Sequence, residues 1–252
     1  MEQGAERHRI VDFLGIPLTA ISTEDFTATV IARARARQRT RITYINAMCV
    51  NTAAETPDYL QTLRTAELVY ADGQAIVWAA RRLGDGVPER VNAGDFFPAF
   101  FQRCTEENLS VFFLGSPPGV AERAAARLCE LAPGLRVAGT HHGFLSGAST
   151  PQVIARINGS EPSLLIVGMG VPHQERWLWA NWDALAVPVA WCVGATLDYY
   201  AGEFPRAPVW MRRCGLEWLF RLVLEPRRLW RRYLLGNPRF VWRVMRRRRL
   251  GE

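Results

Sequence analysis

The sequence predicts an α/β protein, a Rossmann-like and mostly parallel sheet flanked by helices, with a basic amphipathic helical appendage at its C-terminal end. Three observations carry that reading. Short apolar runs alternate with amphipathic segments, as they do when parallel strands are joined by crossover helices. The runs end in Gly, Asn or Asp rather than continuing into a second face of alternating polarity. Near Arg206 the composition shifts, from mixed charge to arginine interleaved with aromatic and aliphatic residues.

The predicted strands are Ile42–Ile45, Leu68–Tyr70, Ser110–Leu114, Leu135–Ala138, Ser163–Gly168 and Val189–Val193. Helices are expected between them. Thr23-Glu-Asp opens the first, which runs towards Gln38 with acids in its initial turn. Others begin at Pro57, Gly73, Gly94, Pro117, Thr150 and Pro172. The expected division is a catalytic domain over residues 1–205 and an appendage over 206–252. Pro226 and the Gly236-Asn-Pro sequence should cut the appendage into about three helical pieces.

A chain of 252 residues with 49% hydrophobic and 22% charged residues can bury a sizeable core. Five scattered cysteines without a CxxC spacing argue for a reducing compartment, against a disulfide framework and against a zinc site. The opening MEQGAERHRI has no apolar signal-like run, and no stretch reaches the roughly 20 apolar residues that span a bilayer. The expectation is a cytoplasmic protein, peripheral on the inner face of the membrane.

The reason for the peripheral placement is the tail. The net charge is +7 and every base is arginine, because the sequence contains no lysine. Fourteen arginines fall after residue 205, opposed only by Glu217, Glu225 and Glu252. Trp210, Trp218, Trp230, Tyr233, Phe240 and Trp242 interleave with them. Arginines beside Trp and Leu are the composition of an interfacial membrane binder, each charge contributing about 1 kcal/mol near an anionic leaflet. A solvated helix face uses the same arginines, as does nucleic-acid binding; the apolar load and the lack of a recognisable binding motif weigh against nucleic acid. An exposed apolar tail could also mediate self-association.

Candidate chemistry sits at the ends of the predicted strands, where ligands of open parallel sheets bind. Tyr44-Ile-Asn-Ala47 places Asn46 to orient a sugar hydroxyl or, equally, to close a turn. Asp72, in Tyr70-Ala-Asp-Gly-Gln74, is either an N-cap or the general base an inverting sugar transfer needs. Arg90 can grip a phosphate or form a surface ion pair with a nearby acid such as Asp95. Gly115-Ser-Pro-Pro-Gly119 suits an anion at a helix start but is not the GxGxxG of a dinucleotide site. His141 and His142, adjacent on an extended segment, point to opposite faces and do not make a metal site. Phe144 can stack on a flat base or pack in the core; Gln174 and Glu175 fall in a first helical turn; Asp198 can accept from a base or ribose. No Asp-x-Asp metal clamp occurs, so no cofactor or metal is expected, and arginines and helix ends would have to neutralise a diphosphate.

Taken in order, YINA, ADGQAIVWAARRLG, PERVNAGD, FFLGSPPGVAE, PGLRVAGTHHGF, VGMGVPHQERW, VGATLDYYAGEFPRAP and GLEWLFRLVLEPRRLWRRYLLGNP resemble the WecG/TagA/CpsF family of glycosyltransferases. The likeness runs from about Asp12 to Phe240. It implies an inverting transfer from a UDP-sugar to a sugar linked to undecaprenyl diphosphate, in cell-surface or exopolysaccharide synthesis. It also implies an appendage that meets an anionic membrane surface and completes the site. By that resemblance Asp72 is the catalytic base, and Asn46, Arg90 and Gln174 line the sugar and diphosphate pocket. Phe144 and Asp198 lie where the nucleotide base sits, and Arg221, Arg228 and Arg231 hold the acceptor diphosphate. Tyr44 replaces the family's usual Thr at a pocket position, Ala93 a usual Gly and His173 a usual Lys. Two other classes compete: a nicotinamide-dependent nucleotide-sugar oxidoreductase or epimerase, and a non-catalytic adaptor for nucleic acid or membrane.

Overall fold

The computed structural model describes residues 8–250, apart from the side chains of Arg213 and residues 248–250. Most of the MEQGAERHRI opening, residues 1–7, and part of the terminal arginine run therefore lie outside the description. The chain enters through a hairpin of β1 (Ile10–Phe13) and β2 (Ile16–Thr19). Then follow α1 (Thr23–Arg35), β3 (Thr40–Ile45), α2 (Ala47–Glu55), α3 (Pro57–Arg64), β4 (Leu68–Ala71), α4 (Gln74–Arg82) and α5 (Ala93–Glu106). The second half continues with β5 (Ser110–Gly115), α6 (Val120–Leu131), β6 (Arg136–His141), α7 (Thr150–Gly159), β7 (Leu164–Gly168), α8 (His173–Asn181), β8 (Val189–Cys192) and α9 (Thr196–Tyr200). The C-terminal segment holds α10 (Val209–Arg213), α11 (Glu217–Leu224), α12 (Pro226–Trp230), a π-helical turn (Arg231–Leu235) and α13 (Gly236–Leu250).

The six predicted strands all form, as one parallel sheet in the order β4-β3-β8-β7-β5-β6. Strands buried on both faces need continuous apolar sequence, and Leu164–Gly168 and Val189–Cys192 are buried at every position. One face packs α1 and α5 through an aromatic cluster around the fully buried Trp191, whose indole N–H donates to the Tyr70 hydroxyl at 3.0 Å. The other face packs α7 and α8 through Phe112, Leu114, Val153, Ile157 and Leu178. Ser22, just before α1, accepts from the Asp25 amide at 3.1 Å, and Arg33 and Arg35 sit in that helix's last turn, so both ends oppose its dipole.

Between β3 and β8 the connections diverge. The helices after β3 run to the α8 side of the sheet, and α9 after β8 lies against α5 and α6. This is the switch point at which an open sheet leaves a crevice beyond its strand ends. Glycine makes the neighbouring strand ends thin. Gly115 holds φ +154, and a Cβ there would stand 2.3 Å from the Gly168 carbonyl oxygen. Gly115→Ala is expected to cost at least about 2 kcal/mol of stability, read as a lowered denaturation midpoint at unchanged slope.

One expectation is corrected here, and one feature goes unpredicted. The β1–β2 hairpin has no predicted counterpart. The Gly236-Asn-Pro sequence does not break the tail: backbone angles stay helical at Arg231 and Gly236, so the helix passes through the π-turn into α13. Pro238, which has no N–H to donate, lies within three residues of the π-turn, where the regular hydrogen-bond ladder is already altered. Asn51 on α2 donates to the Gly236 carbonyl at 2.8 Å and accepts from Arg243 at 3.2 Å, fastening the tail to the sheet domain. No helix among the described residues is long and apolar enough to cross a membrane.

Candidate active site

The crevice beyond β3, β4 and β8 is a cleft of about 840 Å³ whose far wall is the C-terminal segment. Tyr44, Asn46, Asp72 and Arg90 line it from the sheet side, and Arg221 and Arg228 from the tail. Six of the ten predicted site residues thus meet in one place.

Asp72 lies between the end of β4 and the start of α4, its amide donating to the Ile45 carbonyl at 2.9 Å. It does not cap α4: the capping position is Gly73, without a side-chain bond. The carboxylate instead accepts from the Asn92 amide at 2.6 Å and faces the cleft. Burial pushes its pKa up to about 7; the Arg90 charge opposes this, the Glu217 carboxylate adds to it, the Asn92 bond opposes it and Asp95 adds to it. A carboxyl poised near neutrality can accept a proton and still be ionised in a useful fraction of molecules.

Asn46 fulfils its turn role, accepting from the Met48 and Cys49 amides at 3.0 and 3.2 Å as the N-cap of α2, while its side chain also borders the cleft. Tyr44 is buried beneath the cleft floor. Gly194, at φ +60, accommodates its hydroxyl, since a Cβ there would stand 2.3 Å from the Tyr44 oxygen.

Arg90 is held in an ion-pair network. It bridges Asp95 and, at 3.1 Å, Glu217, while Arg206 reaches the same two carboxylates at 2.9 and 3.6 Å and Arg212 also pairs with Asp95. The tail is therefore joined to the sheet domain beside Asp72.

The remaining predicted residues stand elsewhere. Gln174 is fully buried, not cleft-facing: it accepts from the Gly194 amide at 2.9 Å and donates to Glu175 at 2.7 Å. It sets the loop that forms the cleft floor. Phe144 is 70% exposed on the loop after β6, outside the cleft lining. Asp198 starts α9, also outside it; burial raises its carboxyl, against the neighbouring Ser116 hydroxyl and Arg221 charge. Arg231 points outward, its guanidinium 5.3 Å from the Trp230 ring centre. Its place is taken by Arg232, which shares the cleft face with Arg228 four residues earlier. Among the described residues, Arg221 Nη2 and Arg232 Nε are buried without a hydrogen-bond partner.

Asn92, Glu217 and Arg232 are the site residues that sequence reasoning did not single out. Glu217 carried a signal, as one of only three acids within the arginine-rich tail. No group of three or more His, Cys, Asp or Glu side chains among the described residues is arranged to hold a metal.

Glu175, fully buried, accepts from Thr43 at 2.9 Å and from Gln174, yet no cation among the described residues pairs with it, and burial raises its pKa to about 7. The unfolded chain ionises such groups near 4. Between about pH 4 and 7 the folded protein thus keeps protons that the unfolded chain has lost, so stability falls as pH rises through that window. Melting temperature should drop from pH 5 to pH 8, and Glu175→Gln should reduce the drop, the remainder belonging to Asp72, whose pKa is raised to a similar value. An unchanged slope in the variant would show that Glu175 is not the group responsible.

A parallel sheet with a carboxylate and arginines gathered at its switch point is the arrangement of an α/β protein whose functional cleft lies beyond its strand ends. The chain belongs to the glycosyl transferase WecG/TagA/CpsF family, whose sequence model matches residues 11–252. It is 28% identical over 197 residues to the N-acetylglucosaminyldiphosphoundecaprenol N-acetyl-beta-D-mannosaminyltransferase of Bacillus spizizenii, covering 78% of this chain and 75% of that protein. It is 29% identical over 204 residues to the enzyme of the same name from Staphylococcus aureus, covering 81% and 79%. The protein is thus a glycosyltransferase, which sets aside the adaptor and oxidoreductase readings.

Proposed function

We propose that the protein transfers a sugar, with inversion, from a UDP-sugar to a sugar carried on a polyprenyl diphosphate. The observation that carries this is the Asp72 carboxylate, uncommitted to helix capping and held by Asn92 at the floor of an arginine-walled cleft. The names of the two relatives, which act on an undecaprenol-diphosphate-linked N-acetylglucosamine, support the acceptor class.

In this mechanism Asp72 takes the proton of the acceptor hydroxyl as its oxygen attacks the anomeric carbon. The bond from that carbon to the UDP oxygen breaks, and the donor's electron pair leaves with UDP. Arg90 exchanges a carboxylate partner for the leaving diphosphate, and positioned charge of this kind needs no divalent metal. The Asn46 amide fixes the sugar, Tyr44 shapes the floor beneath it, and Gln174 acts through the Gly194 loop. Phe144 and Asp198 border the nucleobase end. Arg221, Arg228 and Arg232 receive the acceptor diphosphate, in a cleft completed by the appendage of residues 206–252.

The outward face of that appendage carries Trp230, Leu234, Leu235 and Trp242 beside Arg231, Arg239 and Arg246, all exposed. Such a face suits an anionic leaflet and supports a peripheral position at the inner membrane surface. The reading is tested by incubating the protein with UDP-sugars and a short-chain prenyl-diphosphate-sugar, and reading products by mass spectrometry. One added hexose or N-acetylhexosamine is expected; no transfer from any UDP-sugar, with other nucleotide sugars active, would overturn the donor assignment.

A further inference from the structure

Part of the cleft is apolar in a regular way. Helix α4 begins two residues after Asp72 and turns Ala75, Trp78, Ala79 and Arg82 to the cleft, the i, i+3, i+4, i+7 spacing of one helical face. Helix α13 turns Asn237, Phe240, Val241, Val244 and Met245 to the same cleft, again as one face. Phe240 and Val244 are buried, whereas Trp78, Val241 and Met245 are each more than half exposed, at 55%, 51% and 55%. The arm therefore has a closed apolar floor and an open apolar rim, and the rim borders the exposed Trp242 of the outward face.

Both helices lead away from the polar centre. At about 1.5 Å per residue, Arg82 lies on the order of 12 Å along α4 from its start, and Met245 lies well along α13 from the arginines that precede it. α4 starts beside Asp72, and α13 follows Arg228 and Arg232 along the tail, so the two apolar faces lead on from the carboxylate and from the arginines that share the cleft. An amphiphile matches that arrangement, with its polar head at the carboxylate and arginines and its hydrocarbon along the two helices.

We propose that the arm between α4 and α13 is a binding slot for the first isoprene units of the acceptor lipid, drawn out of the bilayer to seat its diphosphate on the arginines. The proposal rests on reading the cleft as the sugar-transfer site. It adds that the enzyme recognises the lipid chain itself, so that chain length is sensed even where no membrane is present.

The test uses the whole protein in detergent-free solution. Binding is read by tryptophan fluorescence with farnesyl diphosphate and with inorganic pyrophosphate. Burying isoprenoid surface should make farnesyl diphosphate at least about tenfold tighter, and Trp78→Ala combined with Met245→Ser should cut that advantage to under about threefold. In the transfer assay, an acceptor with a farnesyl chain should have a KM about tenfold below that of the same sugar on methyl diphosphate. Equal affinities and equal KM values, with Asp72-dependent transfer intact, would overturn the slot and leave the proposed reaction standing. A preserved farnesyl preference with no transfer from any UDP-sugar would support the slot and overturn the reaction. Dissociation of a dimer by the double variant, at unchanged farnesyl affinity, would assign the arm to a second copy of the chain and overturn the proposal.

Discussion

Asp72→Asn is expected to lower turnover by about 10²–10⁴-fold while leaving the fold and nucleotide affinity in place. Asparagine keeps the shape that Asn92 and the cleft floor require but cannot take a proton. The remaining positioning of two substrates still contributes, which is why the loss is not larger. The pH profile sharpens the test. In the wild type the active form is the ionised carboxylate, so kcat/KM should rise with pH and level off above about 7. Glu217→Gln removes one of the charges that raises the Asp72 pKa and should move the rising limb to lower pH. Asp72→Asn should show no such limb. Turnover within tenfold of wild type in that variant would remove Asp72 from the role.

Replacing Arg221, Arg228 and Arg232 together by alanine is expected to lower kcat/KM for the diphosphate acceptor by at least about 10²-fold. Hydrogen bonds from charged groups contribute roughly 1.5–3 kcal/mol each, and three acting on one diphosphate overlap rather than add. The comparison is a second triple variant, Arg231, Arg239 and Arg246 to alanine, all on the outward face. At about 1 kcal/mol per charge near an anionic leaflet, this set should weaken co-sedimentation with anionic liposomes and have the smaller effect on a soluble short-chain acceptor. The same loss of soluble-acceptor use from both sets would contradict the division of the tail into an inward and an outward face.

Much of this arrangement was legible because each strand of a parallel sheet leaves a compact signature: an apolar run, then a polar residue or glycine at its carboxyl end. Asp72 and Asn46 were found that way, and the cleft assembles from those ends. The hairpin was not legible because its turn is Leu14-Gly15, with Leu14 at φ +55 where a turn usually advertises itself with Asn or Asp. Asn46 carried both of its readings at once, as a cap and as a cleft residue, and sequence could not choose between roles that do not exclude each other. Gln174 was placed towards a ligand because first-turn residues often face one. Instead, the backbone amide of Gly194 and the carboxylate of Glu175 claim its side chain, a tertiary contact without local signature.

The tail shows the limit most plainly. Arg231 and Arg232 are neighbours in sequence, and only the phase of the helix through the π-turn decides which enters the cleft. The helix continues through Pro238 directly after that turn, and the bond from Asn51 to the Gly236 carbonyl fastens this stretch to α2. Composition identified an arginine-rich amphipathic segment; its division into an arginine lining and an exposed apolar face depends on where that segment lands.

A structure of the protein with UDP bound is the most direct measurement of the central claim. The diphosphate should lie in the cleft within hydrogen-bonding reach of Arg90, having displaced Glu217 or Asp95 from it, with Asp72 facing the position of the anomeric carbon. UDP held on another surface, with Asp72 still hydrogen-bonded to Asn92 and no phosphate nearby, would contradict it.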